Sequence, residues 1–407
     1  MPTQVSESPD LPRLPSACSI VFRRMKNTLS LCLLVRNESA NVGKAIESFE
    51  GYVDEVVVVD TGSDDDTREV ALSHGARVLE FPWRDDFAAV RNFLFSHARC
   101  DWIFHLDADE TLLPGSREEI RNLVGRPKVQ GAYVLRQDLF SADDPSQFTE
   151  MLQLRLFRSE ELPQQVGRCH PHFEPPLEDV ARSSGRQVVL SNVRLRHTGY
   201  VAELKPTKLE RSARLLELEL QDRPGQFYYQ VELAMTLLQL GSDRATAALH
   251  QACVSLRPHL AAPTAPSHQA ALLFEILLQI QDHNLPGGWS KDQVRELSAR
   301  WFPNSAPLAW HRASYEFREG RFESARATLE HLKAMADNES YDKTTSFHPS
   351  ILGPELHLNL GVCYARLGKL NEAIACFERL RNTQFADFAE QNLAAIRDLQ
   401  RQFESEA

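Results

Sequence analysis

The stretch DWIFHLDADE (101–110) decides how the rest of the chain is read. Its first part is a short apolar run that stops at Asp107, Asp109 and Glu110. A run of that length between polar residues fits a strand buried on both faces. Asp107 and Asp109 are two positions apart, so they share a face if the strand continues through them. Two carboxylates side by side at the end of a buried strand repel, and one takes up a proton unless a cation neutralises them. A hard divalent ion does so, because it prefers oxygen ligands and can be shared with phosphate oxygens. In open parallel sheets, ligands bind beyond the carboxyl ends of the strands. Asp107 and Asp109 are therefore expected beside a nucleotide diphosphate, bridged to it by metal. A bare D-x-D occurs in surface loops by chance; its place after a strand, behind three other strand–helix units, gives it weight.

Those units lie upstream. LSLCLLV (29–35), EVVVVD (55–60) and ARVLEF (76–81) are further short apolar runs. Between them, Val42, Ala45, Ile46 and Phe49 recur with helical spacing, as do Phe87, Val90, Leu94 and Phe95. TREVALSH after Asp64–Asp66 reads as a short helix closed by Gly75. Ser116 and Glu119 form a capping-box pattern that opens a helix at 117–124. Downstream, GAYVLRQDLF (131–140), MLQLRLFR (151–158) and QVVLSNVRLRH (187–197) are strand-like. Strands alternating with helices imply an α/β domain with a mainly parallel, Rossmann-like sheet. The residues before it, 1–28, hold four prolines and no sustained periodicity, and read as a mobile tail.

After about Gly199 the strand signals stop and the pattern is helical to the end. PELHLNLGVCYARLGKLNEAIACFERL (354–380) places Leu360, Gly361, Tyr364, Gly368, Ala373 and Phe377 where a tetratricopeptide repeat puts its packing residues. Small residues let two antiparallel helices approach, and aromatic ones fill the space between them. Weaker versions contain Leu233, Ala234, Leu237 and Gly241, and Ala313, Gly320, Ala325 and Leu329. Their turn glycines are 79 and 48 residues apart, neither a multiple of the repeat length of about 34, so the array is irregular. A helical pair (270–302) fills one gap, and the polar segment 338–352 reads as an exposed loop. The expected division is a tail (1–28), an α/β domain (29–200) and an all-α repeat domain (201–407), clearest at 354–387.

A chain of 407 residues fits two or three domains at roughly 150 residues each. Its net charge of −11 argues against a general nucleic-acid binder. It has no apolar stretch of the ~18 residues a membrane helix needs, and its N-terminus lacks the basic and apolar runs of a secretion signal. Seven scattered cysteines without CxxC read as reduced thiols of a cytoplasmic protein. There is no GxxxxGK[ST], HExxH or GxSxG motif, and the acidic run at 60–66 lacks the glycine and terminal Glu of an EF-hand.

Other strand-end residues point to the same crevice. Asn37 and Glu38 follow the first strand, and Asp60 ends the second before Thr61-Gly62-Ser63. Arg91 and Asn92 lie on the helix before the Asp107 strand. Each has a plain alternative: Glu38, Ser39, Asp64 and Asp65 as helix caps, Asp60 as a turn former, and Arg91 as a surface ion pair with Asp85 or Asp86.

The set VRNE (35–38), VVVVDTGSDDDT (56–67), AAVRN (88–92) and HLDADE (105–110) resembles the GT-A glycosyltransferases of family 2, most closely bacterial ones with a C-terminal tetratricopeptide region. RLFR (155–158) and HTGY (197–200) resemble later motifs of that group. The resemblance implies a nucleotide-sugar donor, Mg2+ or Mn2+, and glycosyl transfer to a protein, glycan or lipid-linked acceptor. It implies that Asn37, Glu38 and Asp60 contact the nucleoside, that Arg91 and Asn92 line the donor pocket, and that Asp107 faces ribose or metal. Asp109 would ligate the metal and His197 would complete the metal or diphosphate site, with a buried structural histidine as the alternative. The group's His-Glu pair is altered, since His170 precedes Pro171 in VGRCHPHFEPPLED (166–179). A general base must then come from a nearby carboxylate: Glu174 first, then Glu178 or Asp179. Attack on the face opposite the diphosphate gives inversion. The helical half is expected to recruit the acceptor or a protein partner, with self-association or peripheral membrane attachment as alternatives. Two rival readings stand beside this one. A nucleotidyltransferase is disfavoured by a first loop, VRNESANVGK, with one glycine. A non-catalytic repeat scaffold is favoured by the altered His-Glu motif and opposed by the intact Asp107/Asp109 pair.

Overall fold

The computed structural model describes residues 27–139, 148–198, 205–280 and 285–406. The tail expected at 1–28 therefore lies almost wholly outside the described residues, as do Gly199 and Tyr200 of HTGY. Among the described residues the N-terminal half contains ten strands and five helices: β1 (Leu29–Val35), α1 (Val42–Glu47), β2 (Glu55–Asp60), α2 (Thr67–Ser73), β3 (Arg77–Glu80), α3 (Phe87–Ser96), β4 (Trp102–Asp107), β5 (Glu110–Leu112), α4 (Ser116–Gly125), β6 (Val129–Leu139), β7 (Phe148–Arg158), β8 (Gln164–Val166), β9 (His172–Glu174), α5 (Leu177–Ser183) and β10 (Gln187–His197). Eight strands form one sheet in the order β3-β2-β1-β4-β7-β6-β10-β5, and β8 and β9 form a separate pair. β1 to β4 are mutually parallel, as are β6 and β10, whereas β7 and β5 run against their neighbours. The sheet is mainly parallel but mixed.

Strand alternation sorts the side chains. Leu29, Leu31, Leu33, Val35, Trp102, Phe104 and Leu106 pack with α1 and α4 on one face. Cys32, Val57, Val59, Ile103 and Phe157 pack with Val90, Leu94 and Phe95 of α3 on the other. Burying each such side chain contributes about 1.5–3 kcal/mol, offset by the entropy of ordering it. His105 and Asp107 continue the Ile103 register, so they belong to the α3 face. Expected and observed elements differ in detail at the start of α4. Ser116 is its first helical residue rather than a cap, because left-handed Gly115 (φ 88°) precedes it. The Ser116 hydroxyl instead accepts from the Arg194 amide at 2.9 Å, fixing α4 to β10.

The second half is helical: α6 (Lys205–Asp222), α7 (Phe227–Gln239), α8 (Ala245–Leu256), α9 (Gln269–Gln279), α10 (Lys291–Trp301), α11 (Ala306–Arg318), α12 (Phe322–Asp337), α13 (Pro354–Arg366), α14 (Leu370–Glu378) and α15 (Ala386–Glu406). No described helix is long and apolar enough to cross a membrane. The repeat logic is visible at Gly361 on α13, where an added Cβ would lie 2.8 Å from the Phe377 ring on α14. Gly361→Ala is expected to lower stability by about 1–3 kcal/mol through overpacking, read as a lower thermal midpoint of the helical transition.

The segment 338–352 is not simply a solvated loop. The Leu152 amide of β7 donates to the Lys343 carbonyl at 2.8 Å, and Phe347 forms a bridge with Glu150. The reason is an incomplete strand neighbour: β4 pairs only with Leu156–Arg158 of β7, so the first part of β7 has an unmet edge. The insert from the helical half covers it.

Candidate active site

The loops after β1 and β2 are stitched together by polar side chains. Asn37 adopts a left-handed backbone (φ 55°), its amide donates to Ser63 Oγ at 2.9 Å, and its Oδ1 accepts from the Asp64 amide at 2.8 Å. The Glu38 amide donates to Thr67 Oγ1 at 2.7 Å. Burial raises the Glu38 carboxyl, with Asn41 opposing and the Asp109 charge adding to the rise. Asp65, rather than Asp64, receives helix-start amides, from Thr67 and Ser39. Asp60 is buried and accepts from the Ser63 amide at 3.1 Å and from Arg68. Burial opposes its ionisation, but Ser63 and Arg68 hold it below the usual carboxylate range. A carboxylate at that strand end, with Asn37 beside it, forms a polar cradle open to solvent at Asn37.

The chain turns at Ala108–Asp109 directly after β4. The strand does not continue through the two aspartates, so they do not share a face. Asp107 stays on the α3 side, where Arg155 Nη2 donates to its Oδ2 at 2.6 Å. The same nitrogen donates to Glu110 Oε1 at 2.7 Å, and Nη1 meets His105 Nδ1 at 2.9 Å. Burial opposes ionisation of Asp107, yet Arg155, His105 and Arg91 hold it well below its ordinary value. Glu110 is fully buried, and burial pushes it up to about 7 against the Arg155 charge. Protein cations thus do part of what the sequence assigned to metal.

Asp109 faces a different group. Its Oδ2 lies 3.3 Å from His197 Nε2 and 3.5 Å from Lys208 Nζ of α6. His197 Nδ1 lies 2.7 Å from Asp138 Oδ1, and Arg136 Nε lies 2.8 Å from that same oxygen. Burial would lower the His197 imidazole, but Asp109 and Asp138 raise it to about 9. Among the described residues no three His, Cys, Asp or Glu side chains converge on one point. Asp109 and His197 nevertheless suit a shared ion. Two ligands each ~2.1 Å from a hexacoordinate cation sit about 3 Å apart, and such ions complete their shell with phosphate and water. Asp138 behind His197 stands where a carboxylate would orient an imidazole for a metal.

The other expected site residues divide. Arg91 reaches inward: burial lowers it to about 10, with Asp107 opposing and Arg155 adding to the fall, and its Nε is buried without a partner. It pairs with neither Asp85, which binds Arg214 at 2.6 Å, nor Asp86, which caps α3 through the Ala89 amide. The Asn92 side chain is fully occupied with the Gln165 backbone at 2.8 Å in both directions, so it fastens β8 to α3 instead of lining the crevice. Glu178 accepts from the Tyr133 hydroxyl at 2.5 Å and Asp179 pairs with Arg182 at 3.0 Å. Both sit on α5, whose Leu177 packs on Gly131 near the start of β6, far along that strand from Asp138. The structure does not bring them to Asp107 or Asp109. Glu174 is exposed on β9, with the Arg223 guanidinium and the His172 imidazole, which burial lowers, as its electrostatic neighbours.

Residues without an assigned role complete the ring: Glu110, Arg136, Asp138, Arg155 and Lys208. Arg136 and Asp138 interrupt an apolar strand two positions apart, and Arg155 interrupts another. A charge on the buried register of a strand was the available signal.

Residues 30–175 match the family model of glycosyl transferase family 2, and residues 354–382 match that of the tetratricopeptide repeat. A TPR repeat-containing protein of Synechococcus elongatus is 32% identical over 229 residues, which cover 53% of this chain and 54% of the relative. An uncharacterized glycosyltransferase of Rickettsia felis is 39% identical over 92 residues, covering 23% and 32%. The chain spans about half or less of the length of these curated relatives. Among solved structures, glucosyl-3-phosphoglycerate synthase from Mycobacterium tuberculosis with Mn2+ and uridine-diphosphate-glucose is 19% identical with a TM-score of 0.34, covering 46% of this chain and 79% of that one.

Proposed function

We propose that this chain is a metal-dependent glycosyltransferase that moves a sugar from a nucleotide-sugar donor to an acceptor hydroxyl with inversion, in the cytoplasm. The observation that carries the reading is the meeting of Asp109 and His197, with Asp138 behind, just past the end of β4. The match of residues 30–175 to glycosyl transferase family 2 supports the reaction class. The six cysteines among the described residues are buried and free, which suits a reducing compartment.

Asp60, Asn37 and Glu38 form the nucleoside cradle. Arg155 holds Asp107 at the ribose side, and Arg91 supplies positive charge beside it. Asp109 and His197 would hold Mg2+ or Mn2+, which stabilises charge on the departing diphosphate as a Lewis acid. Lys208 lies close enough to Asp109 to add positive charge there. The catalytic unit spans 29–200 and the helical unit 201–407, the latter presenting the acceptor or a protein partner on its packed helices.

The test is incubation with UDP-glucose, UDP-N-acetylglucosamine, GDP-mannose and dTDP-rhamnose in Mn2+, Mg2+ or EDTA. Free nucleoside diphosphate is expected from at least one donor, at least tenfold faster with metal than in EDTA. Calorimetry should show Mn2+-linked UDP binding with proton release near neutral pH, because His197 must lose its proton to ligate. Pyrophosphate as the product would indicate nucleotidyl transfer, and neither turnover nor metal-linked binding would leave only a scaffold.

A further inference from the structure

The altered motif after β8 leaves the acceptor side short of a carboxylate. Glu178 and Asp179 are taken by Tyr133 and Arg182, Glu174 is exposed on β9, Asp107 and Glu110 are held by Arg155, and Asp138 is held by Arg136 and His197. Three carboxylates of the helical half reach the loop after β8: Glu219, which accepts from the Arg168 amide at 2.7 Å and from Arg223, Asp222, which pairs with the Arg168 guanidinium at 2.6 Å, and Glu232. Glu232 on α7 places Oε2 3.5 Å from His170 Nε2, while its Oε1 accepts from Gln269 Nε2 on α9.

The contact is built, not incidental. His170 has a left-handed backbone (φ 51°), a strained state for a non-glycine residue that is retained where surroundings enforce it. The loop before it is fixed at both sides: the Phe87 amide donates to the Arg168 carbonyl at 3.0 Å, and Asn92 clamps Gln165. α7 presses on the same loop so closely that a Cβ at Gly167 would lie 2.1 Å from the Tyr229 hydroxyl. Arg91, whose Nε is buried and unpartnered, is an electrostatic neighbour of both Asp107 and His170. The Arg91 charge thus couples to Asp107 on one side and to His170 on the other, and Glu232 meets His170 from the helical half. Glu232 is 16% exposed and His170 45% exposed at the side chain, enough for a small group to reach them.

We propose that Glu232, contributed by the helical half, is the general base that deprotonates the acceptor. This rests on the glycosyltransferase reading above. The acceptor hydroxyl gives its proton to Glu232 Oε2. Its oxygen forms the bond to the donor's anomeric carbon, and the bond from that carbon to the diphosphate breaks, with the electron pair leaving on the nucleoside diphosphate. His170, raised to about 9 by Cys169 and Glu232 against the effect of burial, is cationic at neutral pH and positions the carboxylate. Its backbone strain and the Gln269 hydrogen bond hold the pair in register.

The full chain is assayed with the donor that turns over fastest in the panel, Mn2+, and water as acceptor. Glu232→Gln is expected to lower hydrolysis by roughly 100-fold or more, within the span for loss of general-base catalysis. Donor KM and UDP–Mn2+ affinity should stay within about twofold, and Glu232→Asp should recover part of the rate. Azide needs no deprotonation, so it should restore donor consumption by Glu232→Gln and yield the glycosyl azide. Wild-type hydrolysis by Glu232→Gln, or an equal fall with water and azide, overturns the assignment. If Asp109→Asn is inactive while Glu232→Gln is not, the base alone is wrong. If the wild type consumes no nucleotide sugar, the transferase reading fails and takes the base with it.

Discussion

Asp109→Asn is expected to remove metal-dependent donor hydrolysis while leaving the fold in place. The side chain is only 14% exposed, and its Oδ2 is shared by His197 and Lys208. An amide keeps the shape but supplies no negative charge, and its nitrogen would face two cations. Loss of a group that merely orients a ligand typically costs 10–100-fold in affinity or activity, so loss of a direct ligand should cost at least ~100-fold. Calorimetry of UDP with and without Mn2+ should show metal-linked binding in the wild type and none in the variant. His197 loses one of the two carboxylates that raise it, so its imidazole should titrate lower, visible by NMR. Full activity in this variant would remove the metal assignment.

Arg155→Met is expected to be the most destabilising single change in the sheet half. Arg155 is the shared partner of Asp107 and of fully buried Glu110. Removing one member of a buried ion pair costs about 3–5 kcal/mol because the other charge is left uncompensated. For a unit of ~150–250 residues that is a fall in melting temperature of roughly 6–20 °C. Glu110 can relieve part of the cost by binding a proton, since it is already raised to about 7. Adding Glu110→Gln to Arg155→Met should therefore recover some of the loss. A melt within a degree or two of wild type would mean that Arg136, 3.8 Å from Glu110, compensates alone.

Much of the architecture was legible because it is local. LSLCLLV, EVVVVD and QVVLSNVRLRH are strands over the same residues that the apolar runs span. The three-residue strands β5, β8 and β9 were not legible: they are too short to show a period, and tertiary pairing alone defines them. The same holds for the site. Asp107, Asp109 and Asp60 announce themselves at strand ends, and Arg91 does turn inward. Sequence proximity misled for Glu178 and Asp179, since a helix starting after Pro176 carries them away from the crevice. Asn92 misled because an amide beside a motif arginine can serve a backbone as readily as a ligand. Glu232 carries no local signal at all: it sits on an amphipathic helix and acquires meaning only where α7 meets the loop at His170.

The insert that satisfies the edge of β7 also sets an order of assembly. The Lys343 carbonyl that receives the Leu152 amide is synthesised long after that strand, and so is Glu232. A nascent chain folding from its N-terminus would form most of the sheet on the ribosome and still lack one border of β7. Only when the late helices arrive does the border close, so a truncation before residue 343 should yield a sheet that aggregates through that open side.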